Sequence, residues 1–358
     1  MTEPADNLLL DMADRLFGDL CAPQRLADAE DGIWPAAAWQ AVVDAGLPHA
    51  LVPEAAGGVG VPVGDAFALL RVAGHHALPL PLAETMLAGR LLAGAGLAIP
   101  EGGGALSIAP VIPDGGRLHA TREGGGAWRF TGKLPRVPWG RNVDAVVTVA
   151  DIGSRTCAAL IPRSGFTVEA GENIAREPRD DLTVDVRLSE DAVGVSEIAP
   201  DQLLAIGAAM RCCQMAGALE RVLGMTVQYA QDRVQFGRPL GKFQAVQQNL
   251  AALAGQVAAA RAAADLAAEA VAAGSGGEPS AIACAKIRAG EAAGVAPGIA
   301  HQIHGALGFT YEHSLHFFTK RLWAWREEFG NEEHWSLRLG RCMLAAGADA
   351  LWPSVTAV

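Results

Sequence analysis

The sequence predicts a multi-domain α+β protein in which a helical region, a small β domain and a second helical region follow one another along 358 residues. Apolar residues recur at helical spacing at both ends of the chain, whereas short β-rich segments separated by glycine-rich turns occupy its middle. With 51% hydrophobic and 19% charged residues, the composition excludes a globally disordered chain. We expect an N-terminal helical domain over 1–100, a middle β domain over 101–198 and a C-terminal helical domain over 199–358.

The N-terminal region alternates apolar and polar residues at helical spacing. In the stretch WPAAAWQAVVDAG, Pro35 suits the first turn of a helix and Gly46 lies where glycine ends one. The proline and glycine content of residues 53–64 predicts a loop.

The middle region contains short runs such as ALSIAPVI, DAVVTVAD and TCAALIP, separated by turn clusters such as PDGG and REGGG. Strands this short, at such regular spacing, are typical of a small antiparallel sandwich or barrel.

The C-terminal region has long stretches rich in Ala, Leu and Gln at 201–235, 242–273 and 280–304. The most alanine-rich part is interrupted by Arg261, Asp265 and Glu269. A membrane span needs about 20 consecutive apolar residues, so these charges favour a helix of a soluble protein.

Charge and cysteine usage exclude several classes of function. A net charge of −11 without any basic run argues against a nucleic-acid surface. The six cysteines are scattered without a CxxC pair, which is typical of reduced thiols in the cytosol. The acidic N-terminus has no basic segment before an apolar stretch, so we expect no signal peptide and a cytoplasmic location.

The segment Arg233 to Gly241, RVQFGRPLG, is the most informative one for binding. Its glycines and proline reverse the chain between two helices, which brings a guanidinium close to the N-terminus of the second helix. Guanidinium groups bind phosphate oxygens in a bidentate way, and helix N-termini favour anions. The pattern therefore indicates either a phosphate pocket or a tight helix–helix turn with a solvated arginine.

The segment 301–313, HQIHGALGFTYEH, ends a helix at two glycines. His301 and His304 have the i,i+3 spacing that can hold a metal, but no carboxylate completes an HExxH pattern. Histidines near the last carbonyls of a helix are the simpler interpretation, and we predict no metal. Phosphate-loop, GxGxxG and GxSxG motifs are absent from the sequence.

Four segments together resemble the acyl-CoA dehydrogenase family, and the match covers nearly the whole chain. The most specific are YAQDRVQFGRPLGKFQAVQQNLA (229–251) and HQIHGALGFTYEH (301–313). WQAVVDAGLPHALVPEAAGGVG (39–60) is similar to the family's PExxGG segment, and FTGKLPRVPWGRNVDAVVTVA (130–150) to its middle strand pair.

The resemblance implies a fold, a cofactor and partners. The subunit would have a small β barrel and a C-terminal four-helix bundle, and would assemble as a homo-oligomer or a heteromer. FAD would lie between the β domain and the bundle and reach a neighbouring subunit. The substrate would be an acyl-CoA thioester, and electrons would pass to an electron-transfer flavoprotein.

The same resemblance implies roles for individual residues. Arg233 and Gln235 would bind the FAD pyrophosphate and neighbouring groups, and Phe236 would pack nearby. Trp139 falls near the strand that faces the flavin. Residues that match the stretch meeting the adenosine half are Gln244, Gln302, Gly305 and Ala306.

The match is weakest on the substrate side. The family reaction removes an α proton with a carboxylate while the flavin takes a hydride, so the base is indispensable. The position of the usual Glu is Phe329 here, although a slip of one residue would supply Glu328. The alternative position on the first bundle helix is Gly207, and the family's TEPxxGSD segment is replaced by ALSIAPVIPDGG (105–116).

Three hypotheses follow. The chain is an acyl-CoA dehydrogenase with Glu328 as an unusual base, or it is a partner subunit without a base that completes the FAD site of a heteromeric enzyme. Alternatively, it is a flavin-free helical scaffold that has kept only the fold. A solvated charged face is the simplest interpretation of the glutamates that surround Phe329.

Overall fold

The computed structural model describes residues 8–113, 115–153, 155–274 and 279–356. Helices, strands and again helices follow one another, and the predicted fold class is confirmed. The helices are α1 Leu8–Leu20, α2 Pro23–Glu30, α3 Ala36–Asp44, α4 Val63–His75, α5 Leu82–Gly94, α6 Pro200–Asp232, α7 Gln244–Ala272, α8 Pro279–His304, α9 Leu315–Glu327, α10 Glu332–Ala346 and α11 Ala348–Thr356. The strands are β1 Leu106–Ala109, β2 His119–Arg122, β3 Trp128–Pro138, β4 Ala145–Ile152, β5 Arg155–Pro162, β6 Phe166–Glu169, β7 Arg179–Leu188, β8 Val193–Val195, β9 Val234–Gln235 and β10 Arg238–Pro239.

The β domain consists of two four-stranded sheets. One has the order β1-β4-β5-β8 and the other β2-β3-β7-β6. All pairs are antiparallel except β1 and β4, which run parallel, so the expectation of an antiparallel sandwich holds except at this edge strand. The Ser107 hydroxyl of β1 donates to the Pro138 carbonyl at the end of β3, 2.5 Å away, and joins the two sheets.

The first helical region is attached to the β domain by buried polar contacts. The Thr85 hydroxyl of α5 donates to the Leu106 carbonyl of β1 (3.0 Å) and accepts from the Leu106 N–H (3.1 Å). The Trp39 indole N–H of α3 donates to the carbonyl of Gly103, 2.8 Å away. These bonds align α3 and α5 with the first strand.

Helix α4 crosses α6 at a backbone-to-backbone contact that only glycine permits. A Cβ added to Gly74 would lie 2.0 Å from the Gln214 carbonyl oxygen, and one added to Gly217 would lie 1.9 Å from the Arg71 carbonyl oxygen. Such separations are far below van der Waals contact, so both glycines are required for the N-terminal helices to dock on the bundle.

Helices α6, α7, α8 and α9 pack together as a bundle, with α10 against α8. The buried residues of α7 recur at helical spacing on one side, from Leu253 and Val257 to Val271. Within the described residues, α7 is the one helix that is long and apolar enough to cross a membrane. It carries the three charges noted above, however, and packs against α6 and α8.

Candidate functional site

The connection between α6 and α7 contains a short β-hairpin with a two-residue turn. β9 and β10 pair Gln235 with Arg238, and the Leu240 N–H donates to the Arg233 carbonyl, 2.9 Å away. The turn residues Phe236 and Gly237 both have positive φ, 53° and 79°, as a type I′ turn requires. Phenylalanine is unfavourable in this region of φ, and this ring is also 90% exposed. The same ring lies edge-on to Phe243, with 6.2 Å between centroids, and is otherwise open to solvent.

The remaining predicted binding residues of this connection are exposed. Arg233 caps α6, Gln235 lies on β9 and Gln244 opens α7. In the part of the chain that the structure describes, none of these three side chains forms a hydrogen bond or ion pair. Free polar groups beside a helix N-terminus can bind an anion.

The end of α8 lies beside the hairpin. The Tyr229 ring, one turn before Arg233, stacks on the His304 ring with 4.4 Å between centroids, and its hydroxyl donates to the His304 carbonyl at 3.3 Å. Gln302, Gly305 and Ala306 are exposed at this end, where Gly305 has a φ of 61°. The structure thus brings both predicted segments together. We call the group the hairpin surface: Arg233, Gln235, Phe236, Gln244, Gln302, Gly305 and Ala306.

The two histidines of α8 are held by intramolecular contacts. His301 Nε2 lies 2.9 Å from the Thr319 hydroxyl, and its ring stacks on Phe309 at 4.1 Å. His304 Nδ1 lies 2.8 Å from the Ala300 carbonyl, and burial lowers the pKa of His304 to about 4. The described residues contain no group of three or more His, Cys, Asp or Glu side chains that could hold a metal.

Glu328, the candidate base, is buried and paired with two arginines. Its carboxylate accepts from Arg179 Nε at 2.6 Å and from Arg211 Nε at 2.7 Å. Burial alone would raise the pKa of Glu328, but the two guanidinium groups outweigh it and lower that pKa to about 2. A carboxylate held in this way is a poor acceptor for a substrate proton at neutral pH, so the geometry does not support the predicted role. The expectation of a solvated face is wrong for Glu328.

These ion pairs belong to a larger buried network. Arg211 also pairs with Glu84 of α5, and Arg179 with Glu177 at 3.0 Å. Four acidic and four basic groups alternate along the network, which is therefore neutral as a whole. We call this set the buried ion network: Glu30, Glu84, Glu177, Arg179, Arg211, Lys320, Arg321 and Glu328.

The network joins all three regions of the chain. Glu30 and Glu84 come from the first helical region, and Glu177 and Arg179 from the β domain. From α9 of the C-terminal region, Arg321 Nε donates to Glu177 at 3.0 Å, and the Trp325 indole N–H donates to the same carboxylate at 3.0 Å. Apart from Glu328, the sequence analysis does not predict the residues of this network, although Arg211 inside the apolar run IGAAMRCCQMAGAL is an available signal.

The loop after α9 is fixed by a buried lysine. Lys286 of α8 is fully buried, and its ammonium group donates to the carbonyls of Trp325 (3.4 Å) and Arg326 (2.6 Å). These carbonyls belong to the last turn of α9, where a cation is favourable. Burial lowers the pKa of Lys286 to about 8. Lys286 therefore holds the backbone from which Glu328 and Phe329 project.

In the family that the sequence resembles, the base occupies the position of Gly207 or of Phe329, and these two residues are in direct contact in this chain. Phe329 is 3% exposed, and a Cβ added to Gly207 would lie 2.3 Å from its ring. The Phe329 N–H donates to the Val111 carbonyl at 2.9 Å, in the stretch that replaces the family's TEPxxGSD segment. The Arg211 guanidinium lies 5.6 Å from the centre of the same ring. An aromatic side chain thus fills the space at both positions.

Trp139 is buried as well. It begins the turn after β3 with a φ of 58°, and its N–H donates to the Pro178 carbonyl at 3.0 Å. The edge of its ring meets Trp34 at 6.1 Å between centroids. The indole is therefore covered by the N-terminal region in this chain, whereas the hairpin surface remains open.

Comparisons with known proteins give matches in both sequence and fold. Residues 197–344 match the acyl-CoA dehydrogenase C-terminal domain. The acyl-CoA dehydrogenase IpdE2 of Mycolicibacterium smegmatis is 31% identical over 277 residues, which cover 76% of each protein. The fold is similar to the ChsE4-ChsE5 complex from Mycobacterium tuberculosis, with a TM-score of 0.87, 26% identity and coverage of 97% of this chain and 99% of that one.

A second solved structure is similar over almost the same length. It is the G363A variant of the Tcur3481-Tcur3483 steroid ACAD, with a TM-score of 0.81, 26% identity and coverage of 93% of this chain and 96% of that one. Sequence and fold therefore agree over most of the chain, which belongs to the acyl-CoA dehydrogenase family.

Proposed function

We propose that this chain is the base-less subunit of a heteromeric acyl-CoA dehydrogenase. The observation that carries the proposal is the contact between Gly207 and Phe329, since neither residue can accept a proton and the aromatic ring fills the space between them. A partner chain of the same family would supply the carboxylate. The chain would then contribute to acyl-CoA dehydrogenation without performing the proton abstraction itself.

The hairpin surface is the part of this chain that would serve FAD. Arg233 and the amides of Gln235, Gln244 and Gln302 are exposed donors without partners in the described residues. Such groups match a pyrophosphate and an adenosine, and Arg233 lies beside the N-terminus of α7. FAD, when bound, supplies the hydride acceptor of the family reaction. The buried Trp139 and Phe329 support a flavin ring placed in the partner rather than in this chain.

The relatives support a heteromer. The two solved structures described above carry the names of two different chains, ChsE4-ChsE5 and Tcur3481-Tcur3483. The second is called a steroid ACAD, which agrees with a polycyclic or other bulky acyl-CoA as the substrate of the assembled enzyme. The proposal includes an electron-transfer flavoprotein as electron acceptor and a cytoplasmic location.

The two other hypotheses have weaker support. An enzyme that uses Glu328 would have to release this carboxylate from Arg179 and Arg211, which are themselves buried. A flavin-free scaffold leaves the strained Phe236 and the free Arg233 without a role. Neither alternative accounts for both the exposed hairpin surface and the filled base position.

Flavin content tests the proposal. The chain is co-expressed with a second family member that has the usual Glu at the position of Phe329, and bound flavin is measured by absorbance per heterodimer. We expect about one FAD per heterodimer and a loss of most of it with Arg233→Gln, because one charge-assisted bidentate contact is removed. The matched control is Arg238→Gln on the opposite hairpin strand, whose guanidinium already lies 4.1 Å over the Phe243 ring.

Two outcomes would contradict the proposal. Equal flavin content in both variants would remove the role of Arg233. Absence of flavin from the heterodimer and from the chain alone would favour the scaffold.

A further inference from the structure

A cavity of about 660 Å³ lies between the two helical regions, away from the hairpin surface. It is bounded by the loop over residues 51–63, the end of α5, the segment that leads into α6 and the end of α7. A volume of this size falls within the range of about 300–1,000 Å³ that is typical of small-molecule sites.

The wall of the cavity is mainly apolar. Its side chains come from both helical regions of the fold, so a ligand would contact elements far apart in the sequence. Apolar wall residues include Leu51, Val52, Val61, Leu91, Ile206 and Val271.

Arg90 introduces a positive charge into this wall. It lies one turn before the C-terminal residue of α5 and is partly buried. Among the residues that the structure describes, its guanidinium has neither an ion pair nor a hydrogen bond. Burial lowers the pKa of Arg90, and no carboxylate of the described residues offsets this effect. By contrast, the buried Arg179, Arg211 and Arg321 all pair with glutamates.

An unpaired cation in a largely apolar wall is costly unless a ligand neutralises it. One guanidinium neutralises one negative charge, and the exposed Glu197 at the cavity would repel a more highly charged head group. A phosphate monoester carries a charge of about −1.5 to −2 at neutral pH. A carboxylate, with a single charge, therefore suits the cavity better.

We propose that this cavity binds an amphipathic monocarboxylate, with its aliphatic or polycyclic body against the apolar wall and its carboxylate on Arg90. The site is separate from the blocked base position, because Ile206 lines the cavity whereas the neighbouring Gly207 faces Phe329. The ligand class is the free acid, since a CoA thioester has no charge at that end. The inference does not depend on FAD or on a partner chain.

Calorimetric titration of the full-length chain with dodecanoate, below its micellar concentration, tests the inference. We expect saturable binding at one site, at least about tenfold weaker in Arg90→Gln because a charge-assisted pair is lost. Arg90→Lys, which keeps the charge, should lose less. Arg15→Gln, at an exposed arginine of α1, is the matched control and should bind like the unmodified chain.

Head group and cavity are tested separately. Dodecan-1-ol and dodecyl phosphate should each bind more weakly than dodecanoate, and Val61→Trp, which narrows the cavity, should weaken dodecanoate binding. The inference is overturned by an absence of saturable dodecanoate binding, by equal affinity in Arg90→Gln, or by tighter binding of the alcohol or the phosphate. If Arg90→Gln does not fold, the test depends on Arg90→Lys and Val61→Trp. Unchanged dodecanoate binding in Val61→Trp also overturns the inference.

Discussion

The hairpin surface and the buried ion network contain similar side chains in opposite settings. On the hairpin surface Arg233 is exposed and has no partner in the described residues, whereas Arg211 of the network contacts two glutamates and is almost inaccessible to water. A free, exposed guanidinium is available to a ligand, but a saturated, buried one holds the fold together. Within one fold, the hairpin surface is therefore suited to binding and the buried ion network to stability.

The largest expected effect is on stability and comes from the network. Arg211→Leu would leave Glu84 and Glu328 buried without their shared partner, so we expect a loss of about 3–5 kcal/mol. The measurement is thermal unfolding followed by circular dichroism. The control is Arg261→Leu, which removes the pairs of an exposed arginine with Glu220 at 3.5 Å and Asp265 at 3.9 Å and should cost less than about 1 kcal/mol. Equal effects of the two substitutions would contradict a structural role for the network.

Acid should weaken the network in a defined direction. The pKa of Glu328 in the folded chain is about 2, below its ordinary value of 4.5. Its contribution to stability is therefore complete above pH 4.5 and is lost as the pH falls toward 2. The pKa of Glu177 is also lowered, mainly by Arg321 and Arg179 against the opposing effect of burial, which adds to the loss.

The check is a comparison of unfolding midpoints for the unmodified chain and Glu328→Gln between pH 7 and pH 3. The difference between them should narrow as the pH falls, because the Gln variant has no such proton to bind. A constant difference over this range would show that Glu328 does not titrate as the network requires.

An intermediate effect is expected at the filled base position. Gly207→Ala places a methyl group against the Phe329 ring, so we expect a loss of about 1–3 kcal/mol from overpacking. In a Phe329→Ala background the same change should cost much less, since the ring is gone. A double-mutant cycle of unfolding free energies measures this coupling. Additive effects would mean that the two residues are not in contact.

The smallest effect on stability is expected at the hairpin tip. Phe236→Gly relieves an unfavourable positive φ, so stability should change by less than about 1 kcal/mol. Flavin content of the heterodimer should nevertheless fall, since an exposed contact is lost. Phe236→Gly should thus lower flavin content at nearly unchanged stability, whereas Arg211→Leu should lower stability. A large loss of stability in Phe236→Gly with full flavin content would contradict this contrast.

The sequence predicts the fold class and the chain reversal at 233–241 because both depend on local signals, whereas Gln244, Gln302, Gly305 and Ala306 are what the family resemblance implies. Helical spacing, glycines and the order of residues 233–241 are visible without knowledge of tertiary contacts. The buried ion network could not be predicted, because Glu84, Glu177, Arg211 and Glu328 are separated by up to 244 positions and meet only after folding. The parallel pairing of β1 with β4 is likewise a tertiary feature.

The prediction for Glu328 depended on its position beside Phe329 and took no account of its partners. Two arginines from different regions decide its proton affinity, and neither is near it in sequence. The environment of a carboxylate sets its role more than its place in a motif does.

Turnover by the purified chain tests the central claim most directly. The chain is reconstituted with FAD in the absence of other family members and assayed for acyl-CoA oxidation with an artificial electron acceptor. The account predicts no turnover by the chain alone, and turnover once a family member with the usual Glu at the position of Phe329 is added. Turnover by the chain alone that disappears in a folded Glu328→Gln variant would contradict the account and assign the base to Glu328.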